Sequence, residues 1–195
     1  AGVSDLLRVE HAPGAKPALV KLPFAGDIDA LAADPRQPGV VFNTGTWTRF
    51  GGYYAYDASA GVVVDTKLQP QGRYDNPGDL VSTEVKVKSH DGTLVPLSIV
   101  HRKGLKLDGT NPAILYGYGA YGISQTPFFR PQYIAWFERG GVFAQPCLRG
   151  GGEFGEEWHK AGMLEKKQNV FDDFIAAGEW LVANKYTNSQ KLCIT

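Results

Sequence analysis

The chain has 195 residues, 43% hydrophobic and 21% charged, a balance typical of a globular protein with one or two cores. Lys plus Arg and Asp plus Glu number 20 each, so no net charge favours nucleic acid or an anionic membrane as a partner. No apolar run reaches the roughly 20 residues of a membrane-spanning helix. The first residues, A-G-V-S-D, carry neither Met nor a signal-peptide pattern, so we expect the sequence to begin within a longer gene. We predict a cytoplasmic location, with the periplasm as the alternative.

The two cysteines, Cys147 and Cys193, lie far apart and outside any spacing typical of metal ligands. They indicate neither a disulfide framework nor a zinc site. Since free cysteines are usually buried, we expect both in the core. The sequence predicts no metal and no cofactor.

Residues 1–75 are predicted to form short β-strands separated by turns. The β-rich runs are 40–42, 52–56 and 62–64, and D-A-S-A-G at 57–61 is typical of a hairpin connection. The following polar segment at 69–78 contains Gly and Pro and is predicted to be a linker between domains.

A β-hairpin is predicted after this linker. Apolar and polar residues alternate over 81–88, Asp91 and Gly92 form a tight turn, and 94–100 is the return strand. Pro96 has no N–H to donate to a neighbouring strand, so we expect it at a sheet edge or a bulge.

From Pro112 onwards, short strands alternate with helices. Strands are predicted at 113–116, 142–144 and 192–194, with a helix at 131–139 between the first two. A second helix is predicted to be capped by Asn169, with Asp172 and Asp173 in its first turn. This order predicts an α/β fold with a parallel sheet covered by helices.

The segment 117–122 spells G-x-G-x-x-G after a strand, a pattern also found in dinucleotide-binding folds. That function requires a helix to open at the last glycine and an acidic residue about 20 residues further on to hold a ribose. Pro127 would break such a helix in its first turns, and Glu138 falls inside a predicted helix. We therefore predict no bound dinucleotide.

Three motifs resemble those of the prolyl oligopeptidase family. They are Y-G-Y-G-A-Y at 116–121, R-G-G-G-E-F-G-E-E-W-H at 149–159 and K-Q-N-V-F-D-D-F at 167–174. The resemblance covers about residues 78–195 and implies the N-terminal half of an α/β-hydrolase peptidase domain over 76–195. Residues 1–75 resemble the family only loosely, as a remnant of the β-propeller that precedes the hydrolase domain, with Y-A-Y-D at 54–57 in place of Y-x-Y-D.

The resemblance implies a serine peptidase acting on short proline-containing peptides, monomeric at full length. By position in the motif, Tyr118 is the implied oxyanion-hole donor, a role that a neutral phenol suits. Tyr121 is the implied aromatic residue of the proline pocket, where many members have Phe. Arg149 and Glu153 are candidates for substrate binding, with an ion pair inside their loop as the alternative. The family's serine, aspartate and histidine lie beyond the point that matches Thr195, so we predict that this chain alone is inactive.

Two other functions remain open at this point. An oligopeptidase B-like enzyme that cuts after basic residues shares the first two motifs, and a non-catalytic binding module could keep the fold. Ser124 and His159 are not predicted to act as nucleophile and base, because Ser124 lies outside a G-x-S-x-G elbow. The remaining histidines are expected to be exposed or to cap turns: His11, His90 and His101.

Overall fold

A computed structural model describes residues 2–195 apart from the side chain of Ala30. Ala1, where the predicted first domain begins, lies outside the described residues. The chain divides into two compact units. The N-terminal unit comprises 2–76 together with 126–130, and the C-terminal unit comprises 77–125 and 131–195.

The N-terminal unit contains six strands in two antiparallel sheets. The two-stranded sheet pairs β1 with β2, and the four-stranded sheet has the order β3-β4-β5-β6. The strands are β1 (Leu6–Arg8), β2 (Ala18–Val20), β3 (Asp27–Ala32), β4 (Gly39–Thr46), β5 (Arg49–Asp57) and β6 (Val62–Asp65). The three predicted β-rich runs are confirmed as β4, β5 and β6.

The predicted hairpin connection between β5 and β6 is also confirmed. The Asp57 carboxylate accepts the backbone N–H groups of Ser59 and Ala60 at 2.8 and 3.0 Å, a side-chain turn typical of Asp. A small apolar cluster supports this unit, and its buried members are Val20, Phe42, Tyr54 and Tyr56.

The C-terminal unit is built on a five-stranded mixed sheet with the order β11-β9-β10-β8-β7. Its strands are β7 (Leu80–Lys88), β8 (Leu94–Arg102), β9 (Ala113–Leu115), β10 (Val142–Pro146) and β11 (Leu192–Ile194). The three short strands β9, β10 and β11 are parallel, whereas β8 runs antiparallel to both of its neighbours. The α/β class and the parallel pairing predicted from Pro112 onwards are confirmed for β9, β10 and β11, but the sheet as a whole is mixed because the β7–β8 hairpin joins it.

The predicted hairpin is confirmed, yet the expectation for Pro96 is wrong. Strand β8 is an interior strand, and its pairing with β10 runs from Leu97 to Val100. Pro96 lies just before that stretch and accepts the N–H of Cys147 at 2.9 Å. An interior position is tolerated there because Pro96 contributes its carbonyl, the hydrogen-bonding group that proline retains.

The helices are short except for the last. They are α1 (Ile134–Phe137), α2 (Glu156–Lys160) and α3 (Gln168–Ala183), with 3₁₀ turns at Pro131–Tyr133 and Leu164–Lys166. Ala176, Ala177 and Leu181 of α3 pack into the main core with residues of β8, β9 and β10. The predicted helix at 131–139 is thus a 3₁₀ turn followed by one turn of α-helix.

The predicted start of the last helix is wrong. Helix α3 begins at Gln168, and the Asn169 side chain donates to the carbonyl of Ala161 at 2.8 Å instead of capping the helix. Asp172 and Asp173 therefore follow the first turn, and Asp173 is fully buried. Within residues 2–195, no helix combines the length and the apolar character needed to span a membrane.

Candidate active site

Tyr118 lies in the segment that follows the carboxyl end of β9. Parallel strands of α/β folds commonly present ligands at this end. The side chain of Tyr118 is 42% exposed, and its ring centroid lies 6.5 Å from that of Tyr121. No helix opens at Gly122, and the next helical turn in the described chain begins at Pro131. The phenol is therefore held by a loop and remains accessible to a ligand.

The backbone on both sides of Tyr118 is packed too closely for any side chain. A Cβ atom at Gly117 would lie 2.7 Å from the ring of Phe174. At Gly119, where φ is +59°, a Cβ would lie 2.5 Å from Val170 Cγ1 and 2.8 Å from Leu148 Cβ. The two glycines let the loop pack directly against helix α3. This close packing restricts the backbone conformation on both sides of Tyr118.

Tyr121 has an unusual backbone conformation for an aromatic residue. Its φ is +56°, in the left-handed region that residues with a bulky side chain rarely adopt. Its side chain is 82% exposed, so packing of the ring does not explain the conformation. Strained residues of this kind cluster at ligand-binding sites.

The loop that follows β10 begins with a buried arginine. The Arg149 side chain is 5% exposed, and it donates to both oxygens of Asp173, from Nε at 2.9 Å and from Nη2 at 2.6 Å. It also pairs with Asp91 in the β7–β8 turn. Hydrogen bonds to Asp173, and then to Asp91, raise the pKa of Arg149, while Arg149 lowers the pKa of Asp91 to about 2.

The alternative prediction, an ion pair between Arg149 and Glu153 inside the R-G-G-G-E loop, is therefore wrong. Arg149 pairs with partners on the β7–β8 turn and on helix α3, not with Glu153. Those partners are 58 and 24 residues away in the sequence, so motif spacing could not reveal them. The Asp173 carboxylate also accepts the Ser89 hydroxyl at 2.6 Å and the Arg149 N–H at 3.1 Å.

Glu153 is half-buried at the other end of this loop. One carboxylate oxygen accepts the N–H of Gln125 at 2.9 Å, and the other, Oε2, is buried without a hydrogen-bond partner. Burial raises the pKa of Glu153, and the Gln125 N–H opposes that change only in part. Neither Arg149 nor Glu153 is placed on an open surface, so substrate contact by either stays a prediction.

Two side chains that sequence analysis did not assign to the site contact its loops. Lys167 Nζ donates to the carbonyl of Gly119 at 2.9 Å. His159 Nδ1 lies 2.9 Å from the carbonyl of Gly150, which also accepts the N–H of Gly122 at 3.0 Å. Since a carbonyl can only accept, His159 carries its proton on Nδ1. Both residues belong to the family-like motifs, but nothing in those motifs indicates a backbone contact.

The predicted burial of the cysteines and the predicted exposure of the histidines are confirmed only in part. Cys147 is buried as expected, and burial raises the pKa of its thiol to about 12. Cys193 is exposed, contrary to expectation, because it lies in β11 at the edge of the sheet. His11 and His90 are exposed as expected, whereas His101 is half-buried against Tyr186. No cluster among the described residues has the composition of a metal site.

Comparisons with known proteins point to one family. Residues 127–195 match the model of the prolyl oligopeptidase family. The prolyl endopeptidase of Elizabethkingia meningoseptica is 38% identical over 176 residues, which are 90% of this chain and 25% of that protein. The dual function macrocyclase-peptidase POPB of Galerina marginata is 52% identical over 120 residues, which are 61% of this chain and 16% of that protein.

Solved structures agree with this assignment. Prolyl oligopeptidase B from Galerina marginata bound to a 35mer hydrolysis and macrocyclization substrate has a TM-score of 0.88 at 36% identity, covering 98% of this chain and 27% of that one. Oligopeptidase B from Leishmania major has a TM-score of 0.80 at 27% identity, covering 93% and 26%. This chain spans about a quarter of the length of the first of these curated relatives. The chain is therefore similar to members of the prolyl oligopeptidase family, whose model matches residues 127–195.

Proposed function

We propose that this chain forms part of a serine peptidase that hydrolyses short peptides on the carboxyl side of proline. The observation that carries the proposal is Tyr118, a half-exposed phenol at the carboxyl end of β9 between two glycines that admit no side chain. The names of the relatives support the same activity, since they include prolyl endopeptidases and prolyl oligopeptidases.

Tyr118 would act as one donor of the oxyanion hole. In acyl transfer a serine attacks the peptide carbonyl, and the carbonyl oxygen gains negative charge. A phenol keeps its proton at neutral pH and can donate it in a hydrogen bond to that oxygen. The attacking serine, with its histidine and aspartate, would come from other parts of the whole protein.

Tyr121 would line the pocket for the proline side chain. Its ring lies near that of Tyr118, is largely exposed, and is held by a strained backbone. A flat ring can pack against the pyrrolidine ring of a substrate. Arg149 and Glu153 would support the loop from its buried side, because the guanidinium is buried and one Glu153 oxygen is buried as well, and their contact with substrate stays a prediction.

We propose that the N-terminal unit is part of a β-propeller. Its four consecutive antiparallel strands, β3 to β6, have the form of one propeller blade. Several large apolar side chains of this unit are exposed, as a blade without its neighbours would have them: Leu7, Leu19, Leu31, Val62 and Val64.

The experiment uses the full-length gene product and a chromogenic Gly-Pro amide. We expect Tyr118→Phe to lower kcat by about 10²- to 10³-fold, as removal of one oxyanion donor does. Tyr74→Phe is the matched control, because Tyr74 is similarly exposed but lies in the N-terminal unit, and it should leave kcat unchanged. Equal activity of wild type and Tyr118→Phe would refute the proposed role.

A second substrate separates the remaining alternatives. Faster cleavage of a reporter with Arg in place of Pro would establish the oligopeptidase B-like function. A full-length product inert towards both reporters would indicate a binding module. Size-exclusion chromatography with light scattering tests the proposed monomeric state, and the 195-residue chain should cleave neither reporter.

A further inference from the structure

The carbonyl group of Gly119, the residue after Tyr118, accepts a hydrogen bond from a lysine in another part of the fold. Lys167 Nζ donates to the Gly119 oxygen at 2.9 Å, across 48 residues of sequence. The Lys167 side chain is half-buried, so its ammonium is partly shielded from competing water. A hydrogen bond from a charged donor is among the stronger ones available to a backbone carbonyl.

Lys167 is itself well placed to fix that carbonyl. It is the residue immediately before helix α3, and its backbone is bonded on both sides: its N–H donates to the carbonyl of Leu164, and its carbonyl accepts the N–H of Val170. Val170 and Phe174 of the same helix are the side chains that approach Gly119 and Gly117 most closely. Helix α3 and the residue immediately before it therefore supply both the packing and the ammonium that hold the Tyr118 loop.

The helix is anchored in turn by the buried ion pair. Asp173 lies in α3 between Val170 and Phe174 in sequence, and its carboxylate accepts two hydrogen bonds from the Arg149 side chain. The position of Lys167 is thus tied to the same core as the loop that it contacts.

We propose that Lys167 is a positioning residue for Tyr118, and this inference depends on the proposed oxyanion role of Tyr118. Its ammonium fixes the Gly119 carbonyl, and with it the plane of the peptide group between Gly119 and Ala120, one residue beyond Tyr118. An oxyanion donor must lie about 2.7–3.1 Å from the developing charge. Displacement by about 1 Å can cost up to 10²-fold in rate. Lys167 touches no reacting atom and acts through Tyr118 alone.

The test combines kinetics with amide hydrogen exchange on the full-length product. Lys167→Met keeps the aliphatic stem and removes the ammonium, and it should lower kcat by about 10- to 100-fold with KM nearly unchanged. Exchange of the amides at 118–122 should accelerate. Lys167→Arg retains a donor and should recover most of the lost rate. Lys166→Met is the matched control, since Lys166 is an exposed neighbour, and it should change neither quantity.

A double variant distinguishes positioning from a general loss of stability. In a Tyr118→Phe background, Lys167→Met should lower kcat by less than about twofold, because the group that Lys167 positions is already absent. Multiplicative losses, or unchanged exchange at 118–122, would overturn the inference. If Tyr118→Phe is itself silent, the proposed function fails and this inference falls with it. If Tyr118→Phe is costly and Lys167→Met silent, only this inference fails.

Discussion

The two units bury their apolar residues in different ways. In the C-terminal unit, all residues of β8 from Val95 to Val100 are buried, as are all five of β10. In the N-terminal unit, β4 and β5 each bury only two residues, and β6 buries none. Since stabilisation by burial grows with the apolar area removed from water, we expect the C-terminal unit to be the more stable. If the N-terminal unit is the proposed propeller blade, it needs neighbouring blades for the same reason.

The ion pairs of the two units also differ in burial. In the N-terminal unit, Arg36 pairs with Asp34 and Lys67 with Asp65, and all four of these residues lie at the surface. In the C-terminal unit, Arg149 and Asp173 are both buried. Solvent screens the surface pairs, whereas a buried charge that loses its partner is left without compensation. We therefore expect removal of a charge from the buried pair to destabilise the protein more than removal of a charge from a surface pair.

Arg149→Met should produce the largest change. We expect it to lower the free energy of unfolding of the C-terminal unit by about 3–5 kcal/mol, because Asp173 would remain buried without its cation. Urea unfolding of the chain measures this. Arg36→Met is the matched control on the surface of the N-terminal unit and should leave the midpoint unchanged. Similar losses in the two variants would contradict the difference drawn between the ion pairs.

Phe42→Ala tests the smaller core. Phe42 is 1% exposed and stacks on Tyr54, and its removal should cost about 3 kcal/mol. We expect amide exchange to accelerate throughout β4 and β5 while β8 and β10 keep their protection. Val64→Ala, at an exposed position of β6, should leave both regions as they were. Simultaneous loss of protection in all four strands would show that the units unfold as one.

Glu153→Gln should change the pH dependence of stability. Burial raises the pKa of Glu153, so the folded state holds this proton more tightly than the unfolded chain does. The wild type should therefore lose stability as the pH rises from the ordinary glutamate value through the raised one. The variant should lack this component, which urea midpoints between pH 4 and 7 would reveal. A variant whose pH profile of stability is identical to that of the wild type would contradict this role of Glu153.

Asp91→Asn should produce the smallest change in stability. Its pH dependence should have the opposite sign to that of Glu153, because the pKa of Asp91 is lowered and not raised. Arg149 lowers the pKa of Asp91 to about 2, so the ionised carboxylate stabilises the folded state above its ordinary value. That contribution is lost as the pH falls from about 4 towards 2. The variant should show a flatter acid limb of the stability curve. A wild-type midpoint that holds constant over this range would rule the contribution out.

Much of the secondary structure could be predicted because it depends on neighbours in sequence. The alternation over 81–88 and the turn at Asp91 and Gly92 are local features, and both elements formed where expected. Helix boundaries were less predictable. Asn169 is a good capping residue by type, but its amide bonds the Ala161 carbonyl, an interaction created by the preceding turns.

In the candidate site, too, features that depend on a local motif could be predicted, whereas contacts between distant segments could not. Motif resemblance predicted Tyr118 and Tyr121 as site residues. It did not indicate that Phe174 and Val170 would occupy the space beside those glycines, nor that Lys167 would bond the Gly119 carbonyl. These contacts join segments about 50 residues apart, and periodicity carries no information about pairs at that distance.

By itself, the sequence determined the class of fold, the places of the main strands and the identity of the loop that carries Tyr118. Each of these depends on residue type, on spacing within one element, or on a contiguous motif. The tertiary structure alone decided that β8 is an interior strand, that Arg149 pairs with Asp173, and that Lys167 reaches the Tyr118 loop. The physical reason is that burial and charge pairing depend on which distant segments share a core, and only the folded chain brings those segments together.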